Sequence, residues 1–335
     1  MKVLFQSYNT CCQNESGGVQ VRIRKIQDLL FEKGVQVDYF NQFTTKLEDY
    51  DVLHVFKLNT ENTPLIQCAK QKGLKVVLSS IVNLMGGNKI DLARFLTKFH
   101  IPTIYSLVSK SLQLCDSIIV ETPREGEFIC KHYKIGDNKI EVIPNGVHIP
   151  KVATDSIFEK IGERCEYILQ VGLFDQNKNQ MNVIRALRDS NYHVVFVGGE
   201  TTFAHSDYYQ QCVREARDRS NIHFLGWLKP DSDMLASAYQ HAHVLVLPSF
   251  QETFGMVALE GAVSGCHVCM SNTLPILDFG IFDNSLTFNP NSIVEIREVL
   301  DIAMKKTKDD DLKKKSIARF NWSSIIDQHI QCYSK

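Results

Sequence analysis

The stretch VLVLPSFQETFGMVALEGAVSG, Val244 to Gly265, decides how this chain is read, because an unbroken apolar run passes through a short polar loop into a helical segment. VLVL has the composition of a strand buried on both faces, the habit of parallel sheets. Glu252 stands in the loop and Glu260 in the helix, so two acids flank one helix start. In open parallel sheets ligands collect outside the carboxyl ends of the strands, where the first N–H groups of a helix have no internal partner. The turn of Thr253, Phe254, Gly255 and Met256 can present such donors to a phosphate. Gly255 lets backbone approach a ligand closely, and the two carboxylates are good acceptors for vicinal hydroxyls of a sugar or ribose. The same residues also describe a helix-start acid favoured by the dipole and an ordinary exposed helix residue, and physics alone leaves the two readings even.

Outward from this stretch the chain alternates short β-rich runs with amphipathic segments, the rhythm of parallel strands joined by crossover helices. Strands are expected at KVLFQS from Lys2, VQVDYF from Val35, VLHVF from Val52, KVVLSS from Lys75, SIIVET from Ser117 and IEVIPN from Ile140. A second series runs YILQVG from Tyr167, HVVFVGG from His193, IHFLG from Ile222, VLVLPS from Val244 and HVCMSN from His267. Between the series, Gly146 to about Cys165 shows no clear period and contains Pro150, which places the boundary there. The expected division is 1–150, 151–315 and a terminal segment 316–335, in which Asn321 or Ser323 caps a helix with the stripe Trp322, Ile325, Ile326, His329 and Ile330. KKTKDDDLKKK before it reads as a solvated helix end and turn.

A chain of 335 residues that is 44% hydrophobic has the material for two cores. Its net charge of −1, from 37 basic and 38 acidic residues, provides no global field for nucleic acid, so any anion site is local. The opening MKVLFQSYNT has only a three-residue apolar run, and no later stretch approaches the roughly 18 apolar residues of a membrane span. Ten scattered cysteines show no CxxC pair and no zinc spacing, so reduced thiols and a cytoplasmic setting are expected. One segment, NKIDLARFLTKFHIPTIYSLVSKSLQL, mixes Lys89, Arg94, Lys98, His100 and Lys110 with apolar residues. It could describe peripheral contact with an anionic membrane, at its inner face, but a core-facing helix with a basic outer face is the expectation.

PSFQETFGMVALEGAVSG resembles the E-x7-E signature of the family 4 glycosyltransferases, with both glutamates at the required spacing and FG between them. Further parts match in order: ESGGVQ near the first strand, VIPNGV closing the first half, VGLFDQNKNQ opening the second and FNWSSI in the terminal helix, so the resemblance spans almost the whole chain. It implies an α/β protein of GT-B architecture, with two Rossmann-like parallel-sheet domains facing a cleft, the first on the acceptor side and the second holding the donor, and a C-terminal helix returning to the first. The implied activity is retaining transfer of a hexose-type sugar from a UDP- or GDP-sugar to a glycan or lipid-linked acceptor, with no metal or other cofactor. By the resemblance, Glu252 contacts sugar hydroxyls, the amides of Phe254, Gly255, Met256 and Val257 hold sugar and diphosphate, and Glu260 holds the ribose. Lys178, six residues after Gly172, falls where the family places a lysine against the diphosphate. Gly17 and Gly18 could let backbone meet the same group, and the resemblance implies that Val171, Gly226 and Leu228 surround the base. The turn IPNGV is assigned to architecture.

Two departures stand out. The family usually has an arginine directly after the first glycine of the second domain, where this chain has Leu173; a charge-assisted bond is worth roughly 1.5–3 kcal/mol, so another cation would have to replace it, and Arg22 or Arg24 are candidates. The histidine that many relatives carry after the fourth strand is absent, and Ser79, Ser80, Ile81, Val82 and Asn83 occupy that space. His54, His241 and His243 sit in or beside apolar strands and read as packing or surface residues. These departures also keep open a degenerate nucleotide-sugar-binding protein, and the shared donor grip a nucleotide-sugar epimerase. A dehydrogenase is set aside because no G-x-G-x-x-G follows the first strand.

Overall fold

In the computed structural model, the described residues are 1–11, 18–82, 84, 86–97, 99–101, 103–148, 154–200, 207–230, 232–282, 286–308 and 310–335. They divide into two compact units, Met1–Gly146 with Trp322–Lys335, and Val147–Asn321. Gly17, Asn83, Lys98 and Pro150 lie outside the described residues.

Unit 1 is built on β1 (Lys2–Gln6), β2 (Gln36–Tyr39), β3 (Val52–Phe56), β4 (Lys75–Ser79), β5 (Ser117–Val120) and β6 (Ile140–Val142), with α1 (Gly18–Glu32), α2 (Thr63–Gln71), α3 (Gly87–Thr97), α4 (Ile104–Leu114) and α5 (Pro123–Tyr133) between them. All pairings are parallel, in the order β2-β1-β3-β4-β5-β6. Every residue of β3 is buried, which is why VLHVF reads as continuous rather than alternating: helices cover both faces of a parallel sheet. Thr103 closes a capping box with Ser106 at the start of α4, and Thr122 caps α5 just before Pro123 at its first position.

Unit 2 has α6 (Ser156–Ile161), β7 (Tyr167–Val171), α7 (Gln180–Ala186), β8 (His193–Val197), α8 (Tyr208–Glu215), β9 (Ile222–Phe224), α9 (Asp233–His241), β10 (Val244–Leu247), α10 (Met256–Val263), β11 (His267–Ser271), β12 (Thr287–Phe288), α11 (Ile293–Lys305) and α12 (Asp311–Phe320). Its parallel sheet runs β12-β11-β10-β7-β8-β9. Strand β12 was not legible in the sequence, because two residues carry no period.

The chain changes unit at 146/147 and 321/322 rather than at 150/151 and 315/316. The reason at the second crossing is Phe320, fully buried in unit 2, whose ring lies 5.1 Å from Phe279 and 5.8 Å from Phe254. Residues 316–320 therefore finish α12, and only α13 (Trp322–Ser334) belongs to unit 1. There Ile325, Ile326, Cys332 and Tyr333 pack with Val3, Phe5, Val52 and Phe56. The expectation for residues 88–114 also needs correction: α3 faces the core with Ile90 and Ala93 and α4 with Val108 and Leu112, but the outer face of both is apolar as well as basic.

Beneath α13 lies a buried polar cluster. His54 places Nδ1 2.7 Å from the Tyr333 hydroxyl and Nε2 2.9 Å from Ser79 Oγ, so it is a satisfied packing residue as expected. His329 is fully buried with neither ring nitrogen partnered among the described residues. Burial, then the charge of Arg22, pushes its pKa down to about 3. The unfolded imidazole takes up its proton near pH 6.5, so this stability is intact above about pH 6.5 and is lost as pH falls toward 3. Burial moves His54 the same way. Glu125, raised to about 7 by burial and then by the charge of Glu121, has the opposite slope, its stability contribution being lost as pH rises from the unfolded value through 7. His329→Leu is expected to leave the unfolding free energy at pH 7.5 within about 1 kcal/mol of wild type, or above it, and to flatten the acid decline below pH 6.5. Urea unfolding across a pH series checks both.

Candidate functional site

Unit 2 supplies the site through its strand order. The chain goes from β7 to β8 and β9 on one side, then returns to lay β10 on the other side of β7. The loops leaving β7 and β10 therefore start side by side and diverge, which opens the crevice where ligands bind in such sheets. The loop after β7 runs through Gly172 and Leu173, and Asp175 caps a short turn by accepting from Lys178 N at 2.8 Å. It is stitched to the loop after β10: Phe250 N donates to Asn177 O at 2.9 Å, and Asn177 Nδ2 to Gln251 O at 3.0 Å.

This stitching brings Lys178 Nζ 2.6 Å from Glu252 Oε1, a half-buried ion pair joining residues 74 apart in sequence. Next comes Thr253, exposed, and then Phe254, whose ring turns into the core against Phe279 and Phe320, so Phe254 faces the crevice with backbone alone. Gly255 begins α10 at φ +112°, a left-handed conformation, and a Cβ there would come 3.3 Å from Ile276. It provides no side-chain cap, which leaves the first amides of α10 to an outside acceptor. Met256 and Val257 pack their side chains against the unit 2 core, as does Leu228. Glu260 follows one turn on, and its Oε2 accepts the Tyr239 hydroxyl at 2.5 Å. Burial, and then the neighbouring Glu260 charge, raise the Tyr239 phenol well above its usual pKa, so the proton stays on Tyr239 and the carboxylate is held as acceptor.

A second element is only partly legible in the sequence, which singles out Gly172 and Gly226 but not Gly198. Gly172, Gly198 and Gly226 close β7, β8 and β9, all at positive φ. Gly198 N donates to Gly226 O at 2.8 Å, and a Cβ on Gly198 would lie 1.9 Å from Gly172 O. The doublet in HVVFVGG was the available sign, but only the neighbouring strand explains it. Leu173, beside Gly172, is 46% exposed and supplies no charge.

Among the other candidates, Gly18 is the first residue of α1. Arg22 is buried in an ion pair with Glu121, which also accepts from Asn145 at 3.1 Å, so Arg22 is not a replacement cation. Arg24 instead lines a cavity of about 940 Å³ in unit 1, at the carboxyl ends of β1 and β3 where that sheet reverses its order. Tyr8, Tyr39 and Phe40 add aromatic surface to it, and Gln6, Gln20 and Asn62 add amides. Ser80 is engaged by Glu125, to which it donates at 2.7 Å. His241 and His243 bond to the carbonyls of Thr154 and Lys306 and take no part.

Residues 153–318, nearly all of unit 2, match the family described as "Glycosyl transferases group 1". This part of the chain is a group 1 glycosyltransferase domain. The O-antigen chain mannosyltransferase RfbU of Salmonella typhimurium is 28% identical over 187 residues, which cover 55% of this chain and 50% of that protein. The chain thus spans about half the length of that relative. Two solved structures resemble the whole chain: sucrose-phosphate synthase from Thermosynechococcus elongatus, at 17% identity and a TM-score of 0.75 over 99% of this chain and 98% of that one, and Anabaena HepE in complex with UDP, at 14% and 0.77 over 100% of both. At such identities the likeness shows the fold alone, the two-sheet α/β architecture expected as GT-B.

The glycine contact in the group 1 domain makes a direct test. Gly198→Ala puts a Cβ into the Gly172 carbonyl from a strained φ and is expected to lower the domain's unfolding free energy by roughly 3 kcal/mol, read by urea unfolding.

Proposed function

We propose that this protein transfers a hexose-type sugar from a UDP- or GDP-sugar to a glycan or lipid-linked acceptor, with retention of anomeric configuration and without a divalent metal. The Lys178–Glu252 pair at the β7/β10 reversal, next to the uncapped start of α10, is the observation on which this reading rests. A donor entering there gives each member of the internal pair a partner of its own, its diphosphate for Lys178 and its sugar hydroxyls for Glu252. The amides from Phe254 to Val257 add neutral donors to the phosphate, and Glu260, aimed by Tyr239, takes the ribose hydroxyls. In this reading the base lies by Val171, Gly226 and Leu228, with Gly172 and Leu173 also on the donor side.

In the reaction, the bond from sugar C1 to the diphosphate oxygen breaks while an acceptor oxygen bonds C1 from the same face. The acceptor's proton passes to the departing diphosphate. Negative charge grows on that diphosphate, so Lys178 and the α10 amides act where charge develops, and preorganised donors of this kind are usually the largest single contribution to catalysis. The group 1 match, the mannosyltransferase relative and the UDP complex of HepE support this reading. The unit 1 cavity, with aromatic faces and amides, suits a saccharide acceptor. Nine free cysteines among the described residues fit a reducing, cytoplasmic setting.

Two experiments test it. In a metal-free thermal-shift panel of UDP, GDP, ADP and their sugars, the true nucleotide at about a hundredfold excess over Kd should stabilise by about 2.7 kcal/mol, and Glu260→Ala should abolish that shift. No response to any nucleotide overturns the donor site. In a transfer assay, Glu252→Ala should lose at least about a hundredfold in turnover while keeping the nucleotide shift, and EDTA should change nothing. Wild-type turnover by the variant, EDTA-sensitive transfer, or an altered sugar formed without acceptor would each defeat its part of the proposal.

A further inference from the structure

The outer surface of α3 and α4 is not the surface of an ordinary crossover pair. Leu92, Phe95, Phe99, Ile101, Ile104 and Leu107 are between 47% and 70% exposed, and the Phe95 and Phe99 rings meet edge to face at 5.3 Å. Each helix already fills the core with other residues, Ile90 and Ala93 on α3 and Val108 and Leu112 on α4, so this apolar face is surplus to folding. Contiguous exposed patches of this kind mark interaction surfaces. Basic residues outnumber acids in this segment: the sequence of residues 86–114 holds Lys89, Arg94, Lys98 and Lys110 against the single acid Asp91, in a chain whose net charge is −1.

Beside the patch, a crevice of about 210 Å³ opens between α3, α4 and α5, lined by Arg94, Thr97, Ser106, Ser109, Lys110 and His132. The Arg94 guanidinium is fixed there by Asp91 at 3.0 Å and by the His132 carbonyl at 2.9 Å. A pocket of hydroxyls and cations at the edge of an apolar face has the chemistry of a phosphate headgroup above acyl chains.

We propose that the α3–α4 face seats on an anionic phospholipid surface, with its apolar side chains among the acyl chains and a lipid phosphate in the Arg94–Lys110 crevice. Helices that lie in the membrane interface pair an apolar face with basic residues whose aliphatic stems reach up to the headgroups. A second copy of the chain fits less well, because an isologous contact would set this basic surplus against itself. The proposal stands apart from the donor chemistry, since no residue in it belongs to that site.

The test is flotation of the full-length protein with vesicles of phosphatidylcholine, alone or containing phosphatidylglycerol. Wild type should float with the anionic vesicles, remain behind with phosphatidylcholine, and detach as salt is raised. Phe95→Ser/Phe99→Ser should bind at least about tenfold more weakly with its melting temperature and nucleotide-induced shift unchanged. Lys110→Glu should remove the preference for anionic lipid, and it carries the test should the double variant fail to fold. Absence of binding to anionic vesicles, or equal binding by both variants, overturns the proposal. So does stabilisation by inorganic phosphate without vesicle binding, which would make the crevice a free-phosphate site, or self-association that Phe95→Ser/Phe99→Ser abolishes without vesicle binding, which would make the occupant a second copy.

Discussion

A parallel sheet that reverses its strand order leaves two neighbouring carboxyl ends whose chains depart in opposite directions, and no backbone from the sheet can fill the gap between them. In unit 2 that gap falls between β7 and β10. The candidate site depends on it. Lys178 and Glu252 meet because their loops begin on adjacent strands, and the Asn177 bonds to Phe250 and Gln251 keep the loops from drifting apart. With the strands in another order, the same residues would stand on unrelated parts of the surface.

The same economy governs the rest of unit 2. Gly198 ends β8 because a Cβ there would strike the Gly172 carbonyl, while Gly172 and Gly226 follow β7 and β9 at positive φ, a conformation that side chains rarely adopt. Phe254 gives its ring to the core and so fixes the turn whose amides open α10. Tyr239, from α9, holds Glu260 in one orientation. Residues that would be surface acids on an isolated helix become a set of aimed acceptors because neighbouring elements restrain them, and restraint before binding is what gives such groups their electrostatic value.

Unit 1 shows how a sequence pattern can mislead. Residues 88–114 were expected to turn their apolar side to the core, and part of it does so through Ile90, Ala93, Val108 and Leu112. The segment holds more large apolar residues than one core-facing stripe can use, and the helical period alone does not say which side of an apolar-rich helix is covered. Arg22 makes the same point for charge. One turn into α1 it resembled a spare cation, yet in the fold it is paired with Glu121 at 5% exposure.

By itself the sequence determined whatever repeats or is spaced along one element: the alternation of strand and helix, eleven of the twelve strands among the described residues, the placing of Glu252 and Glu260 on either side of one helix start, and the apolar stripe of the terminal helix. These are local, since a strand buried on two faces and a helix buried on one leave their periods in the residues. Only the tertiary structure decided which residues meet across elements: Lys178 with Glu252, Tyr239 with Glu260, Gly198 with Gly172, and Phe320 with Phe279, which sets where the chain leaves unit 2. Such contacts follow from strand order and from the faces that other elements happen to cover, and neither is written in the spacing of residues along the chain.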